Sequence, residues 1–190
     1  MFFYRTAFVT VLLLGAAVDW FTVGGMEKTV TAEAGETASH IDETSKIAER
    51  DGVCLGKLVV RKDKKINLWV AYTEEARNRG LSGVFPDEFA TDEAMLFYYN
   101  KTDERAFWMP NTYMNLDIFF LDRERRVVRV VRGVPAHPGE EEPPPIPRVG
   151  ETRCRYVLEM RADSDVAEEI EEGMKLRWIV QPPIGERRER

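Results

Sequence analysis

Histidine and cysteine are scarce: the 190 residues contain two of each. That excludes zinc sites built from repeated Cys and His pairs, and any disulfide framework of more than one bridge. His40 lies in a polar stretch and His137 between Pro135 and Pro138, so neither has the rigid, partly buried setting of a general base. The chain has no Ser/His/Asp spacing, no glycine-rich phosphate loop and no zincin helix. Positive charge is also in deficit, with 27 Lys+Arg against 33 Asp+Glu, a net charge of −6 and a pI near 5.2. Such a surface repels phosphate backbones, which excludes nucleic acid as a partner. Glu140 to Glu142 lack the Asp/Asn/Gly spacing of a calcium loop, so neither a metal nor a cofactor is expected.

Charge is almost absent from the first 25 residues, which hold only Arg5 and Asp19. Residues 2–23 form an apolar segment of about 20 residues, enough to cross a bilayer at ~1.5 Å per residue. Trp20 beside Asp19 suits an interface, and Arg5 with the α-amino group sets the N-terminus in the cytoplasm. The competing reading is a cleaved signal peptide, with Gly15, Ala16 and Ala17 as the small residues of a cleavage site. Resumption of the apolar pattern at Trp20, Phe21 and Val23 favours a retained signal-anchor. The expectation is a single-pass protein of a bacterial inner membrane, with residues 1–25 as anchor and the C-terminal domain in the periplasm.

Residues 26–53 read as a polar tether with one short helix near Ile41 to Arg50. Period-2 patterning then predicts a hairpin of Leu55 to Arg61 with Ile66 to Ala71. Thr73 caps a short helix that ends at Gly80. Strands follow at Ala94 to Tyr99, Ala106 to Met109, Leu116 to Leu121, Val127 to Val131 and Arg155 to Met160. A helix from Ser164 to Glu172 leads to a last strand, Lys175 to Val180. Residues 54–181 are thus a β-rich α+β domain, an antiparallel partly closed barrel or sandwich with two short helices, preceded by one transmembrane helix. Residues 182–190 are a tail.

Within it, Arg77, Gly80-Leu81, Met95-Leu96-Phe97, Phe107-Trp108-Met109, Asn111-Thr112, Leu116-Asp117, Phe120-Leu121-Asp122 and Val157-Leu158-Glu159 follow one another as a single run of motifs. Over Gly56 to Val180 this run resembles the DUF192 (UPF0127) family. The resemblance implies a small β-rich domain, often exported, with no established reaction. The chain departs from the family pattern at Ser82 and Val84, at Ala94 and at Pro110.

Phe107, Trp108 and Met109 could frame an apolar pocket, but three large side chains at a strand end read first as core. Asn111-Thr112 reads as a turn. Asp117 interrupts a strand apolar on both faces, so it should be buried and need a partner. The resemblance, which keeps both residues, implies an architectural pair with Arg77. For Cys54 and Cys154 a disulfide and two free buried thiols are both open.

Residues 133–150 contain six prolines and read as a stiff arm, unsuited to helix or central strand. Pro143, Pro144, Pro145, Ile146 and Val149 are its candidate partner contacts. Two functions follow. One is a non-catalytic accessory or scaffolding subunit whose head docks on a larger membrane complex, a respiratory or photosynthetic assembly being one candidate. The alternative is a cell-envelope small-ligand-binding protein or hydrolase using Arg77, Trp108, Asn111 and Asp117.

Overall fold

The computed structural model describes Ile47, Arg50 to Arg61 and Lys64 to Val180. The expected anchor, most of the expected tether with its short helix, and the expected tail lie outside the described residues. The elements run β1 (Val53–Arg61), β2 (Lys64–Ala71), α1 (Glu74–Arg79), β3 (Glu93–Trp108), β4 (Leu116–Leu121), β5 (Val127–Val134), β6 (Arg148–Arg161), α2 (Asp165–Glu168) and β7 (Arg177–Val180).

The strands form one seven-stranded sheet in the order β5-β4-β6-β3-β2-β1-β7. The ladder is not closed. An isolated bridge, Arg126 with Lys175, ties the start of β5 to the segment leading into β7, but the two edges do not zip together. All ladders are antiparallel except β2 with β3, which run parallel because α1 and the segment after it carry the chain back to the same end. That pair corrects the expected all-antiparallel arrangement.

The two strands expected at Ala94 to Tyr99 and Ala106 to Met109 are one strand of 16 residues. The polar residues between them carry no apolar period, yet they still pair with β6, through register shifts, from Asp103 opposite Cys154 to Trp108 opposite Arg148. Ser164 caps α2, its hydroxyl accepting from Ala167 N at 3.2 Å, and the helix expected to run to Glu172 stops at Glu168.

Central strands bury both faces, so alternate residues feed two separate cores. On one face Leu58, Leu68, Leu96, Phe119 and Leu158 pack with Val166, Ala167 and Ile170 from around α2. On the other, Trp69, Met95, Phe97, Ile118, Phe120 and Val157 lie beneath Leu81, Val84 and Phe89 of the β2–β3 connection. Fully burying each such side chain contributes roughly 1.5–3 kcal/mol, which fixes that connection as a wall.

Candidate functional site

The wall leaves a gap. Between the end of α1, the far half of β3 and the sheet lies a cavity of about 520 Å³, within the range of small-molecule sites. Arg77, Gly80, Leu81 and Ser82 form one side, and Phe97, Tyr99, Phe107 and Trp108 of β3 the other. Gly80 is required there: its φ is +50°, and an added Cβ would sit 3.0 Å from the Phe97 ring.

Glu159 of β6 reaches the cavity from the sheet, between its register partners Met95 on β3 and Ile118 on β4. It is 5% exposed, and no hydrogen bond or ion pair holds its carboxyl among the described residues. Burial alone pushes its carboxyl up to about 8, so it carries a proton at neutral pH. Buried polar groups are ordinarily paired, which makes this one exceptional. Sequence reasoning missed it as a site residue. The signal was present, because Glu159 interrupts the apolar run from Tyr156 to Met160 as Asp117 interrupts its own strand.

Arg77 lines the cavity but is not the partner of Asp117. Its Nη1 donates to Tyr72 O at 2.5 Å and Tyr98 O at 3.1 Å, and its guanidinium lies 4.8 Å from the Tyr99 ring centroid. Arg105 stacks on the same ring at 3.2 Å. Burial raises the Tyr99 phenol above its ordinary range, against the opposing pull of Arg105 and Arg77 and with smaller upward contributions from Cys154 and Glu159.

Asp117 projects to the opposite face, which corrects the expected pairing: residues 117, 119 and 121 alternate away from Leu116, and Phe119 and Leu121 lie in the α2-side core. Its carboxylate accepts from Arg132 Nη1 at 2.6 Å and Gly133 N at 2.8 Å. Asp117 and Asn111 therefore do not join Arg77 and Trp108 in one site. Asn111, at φ 52°, donates its N–H to Gly139 O at 2.5 Å and accepts from Gly83 N at 2.8 Å, clasping two loops.

Of the three residues read as core, only Met109 is fully buried. Trp108 is 56% exposed at the cavity mouth, with Arg148 5.9 Å from its ring centroid. Phe107 lies between, edge-on to Phe97 with centroids 4.9 Å apart.

The arm is shorter than expected. β5 runs to Val134 and β6 starts at Arg148, so Val149 pairs with Phe107 in the sheet and belongs to the core. Ile146 is buried too, leaving Pro143, Pro144 and Pro145 exposed. The apolar anchors assigned to a partner thus serve the domain itself. His137 is buried against expectation, bridged to Thr112, with Nε2 3.1 Å from Glu141 O.

Cys54 and Cys154 are both buried, and no disulfide joins them. They lie in different cores and on strands three spacings apart, roughly 14 Å, too far to bridge. Among the described residues no group of three or more His, Cys, Asp or Glu could hold a metal, and no helix is long and apolar enough to cross a membrane.

Two solved structures are similar in fold. A Sinorhizobium meliloti 1021 protein, provisionally described as a transcription regulator, is 23% identical with a TM-score of 0.50, over 66% of this chain and 93% of its own. A protein of unknown function from Novosphingobium aromaticivorans DSM 12444 is 26% identical with a TM-score of 0.50, over 66% of this chain and 85% of its own. No curated protein matches this chain. The DUF192 family model, described as an uncharacterised ACR, matches residues 57–178, well over half of the sequence, and the chain therefore belongs to DUF192.

Proposed function

We propose that the domain binds a small molecule in the cavity over Glu159. The observation that carries this reading is the unpartnered, buried Glu159 carboxyl facing open space. A carboxyl held so costs stability, and a ligand that hydrogen-bonds to it offsets that cost. Binding fits better than hydrolysis, because no hydroxyl, thiol or imidazole is hydrogen-bonded to the carboxyl among the described residues. In this reading residues 2–23 anchor the chain in the membrane and the cavity opens outside the cytoplasm.

The test uses the native chain and an Ala106→Trp variant, which fills the mouth from an exposed lining position. Each is dialysed to equilibrium against a small-molecule cell extract, and the retained compounds are identified by mass spectrometry. A compound enriched by the native chain and not by the variant is expected. Identical profiles would sink the reading.

The exposed Pro143, Pro144 and Pro145 favour a second reading, docking of the head on a larger membrane complex. Mutating these three and comparing what co-purifies in mild detergent tests it.

A further inference from the structure

We propose that the cavity takes a neutral ligand presenting a carboxamide-type edge, an acceptor beside a donor, to Glu159, with an apolar or aromatic body against Phe97, Phe107 and Leu116. This inference rests on the binding role proposed above and narrows it to a chemical class.

Glu159 is flanked by Met95 and Ile118, and burial is the only influence that moves its carboxyl. The charged and titratable groups that share the cavity are Arg77, Arg79, Tyr99 and Glu140. Arg77 is held by the backbone carbonyls of Tyr72 and Tyr98, and neither it nor Arg79 forms an ion pair with Glu159 among the described residues. A carboxylate ligand at the floor would lie against the Glu159 carboxyl, with Arg77 already committed to two backbone carbonyls. An ammonium ligand would require Glu159 to ionise where burial opposes it, in a cavity already lined by two guanidinium groups.

A neutral edge avoids both penalties. The protonated carboxyl offers one O–H donor and one carbonyl acceptor side by side. The group that satisfies both at once presents an acceptor next to an N–H, as a primary amide or a lactam does. The ring edges of Phe97 and Phe107 and the Leu116 side chain then supply an apolar lining for the rest.

The experiment follows NMR shifts of the full chain in lipid nanodiscs on titration with benzamide, benzoate and benzylamine at about pH 6.5. Benzamide is expected to bind at least about tenfold more tightly than either charged probe, shifting Leu81 and Leu116 methyl signals. Glu159→Gln, itself a donor beside an acceptor, should keep benzamide binding, and Glu159→Leu should lose it. Raising the pH past about 8 should weaken benzamide binding to the native chain and not to Glu159→Gln. Benzoate or benzylamine binding as tightly as benzamide overturns the ligand class while leaving the cavity a binding site. If no probe moves a cavity signal, the binding role itself fails.

Discussion

Arg132 holds Asp117 and the end of α2 together: its Nη1 donates to Asp117 Oδ2 at 2.6 Å and to Ala167 O at 2.8 Å, and its Nη2 to Ile170 O at 2.5 Å. Asp117 is nearly sealed while the Arg132 side chain is 40% exposed, so the pair is anchored from its acidic side. Asp117→Ala should cost about 2–4 kcal/mol, below the full figure for a buried pair because water reaches the guanidinium. Urea unfolding measures it. Replacing both residues by apolar ones should cost less than Asp117→Ala alone, and a larger cost would show that the carbonyl bonds of Arg132 dominate.

Glu159 makes stability depend on pH. Its carboxyl titrates near 4.5 when unfolded and about 8 when folded. The unfolded chain therefore sheds this proton first, and the stabilisation, complete below 4.5, is lost as pH rises to about 8. The loss amounts to ~3–5 kcal/mol across that window. Glu159→Gln should be markedly more stable than the native chain at about pH 9 and nearly matched to it at about pH 4. Denaturant midpoints of the two proteins, compared at both values, provide the check.

The two thiols should stay reduced and unreactive in the folded protein. Burial pushes the Cys154 thiol up to about 11, leaving little thiolate at ordinary pH. Alkylation after unfolding, without reductant, should add two labels, and a reductant should leave the thermal midpoint unchanged. A single unlabelled pair would contradict the separation of the two cysteines.

Gly56 has no room for a side chain, because an added Cβ would lie 2.6 Å from the Ile179 carbonyl oxygen of the neighbouring strand. Gly56→Ala should therefore push β7 off β1 at a cost of about 1–3 kcal/mol. Trp178, packed edge-on against Tyr156 with centroids 5.0 Å apart, should become exposed and its emission should shift red. Unchanged emission with unchanged stability would mean that β7 yields without strain.

Much of the fold was legible because strong periodicity marks buried strands. The β1–β2 hairpin and the Thr73 cap follow from alternation and capping chemistry, and β4 from an apolar run buried on both faces. The middle of β3 was not, since Asn100 to Arg105 are polar and their pairing with β6 is set by distant residues. The site was half legible. Arg77 and Trp108 do line one cavity, whereas Asn111 and Asp117 are carried elsewhere by a loop clasp and by strand alternation. The proline count argued for an independent arm, yet prolines restrict only their own backbone, and Ile146 and Val149 remained free to pack inward.

The strand order has a consequence for synthesis. β1, the first of the described strands to be made, lies between β2 and β7, the last of them. Until Arg177 to Val180 leave the ribosome, the outer edge of β1 presents unpaired N–H and C=O groups over Gly56 to Val59. The nascent chain thus carries a sticky edge throughout translation of the domain, and a truncation before β7 would display it permanently. Four residues at the C-terminal end of the sheet act as the seal on its N-terminal strand.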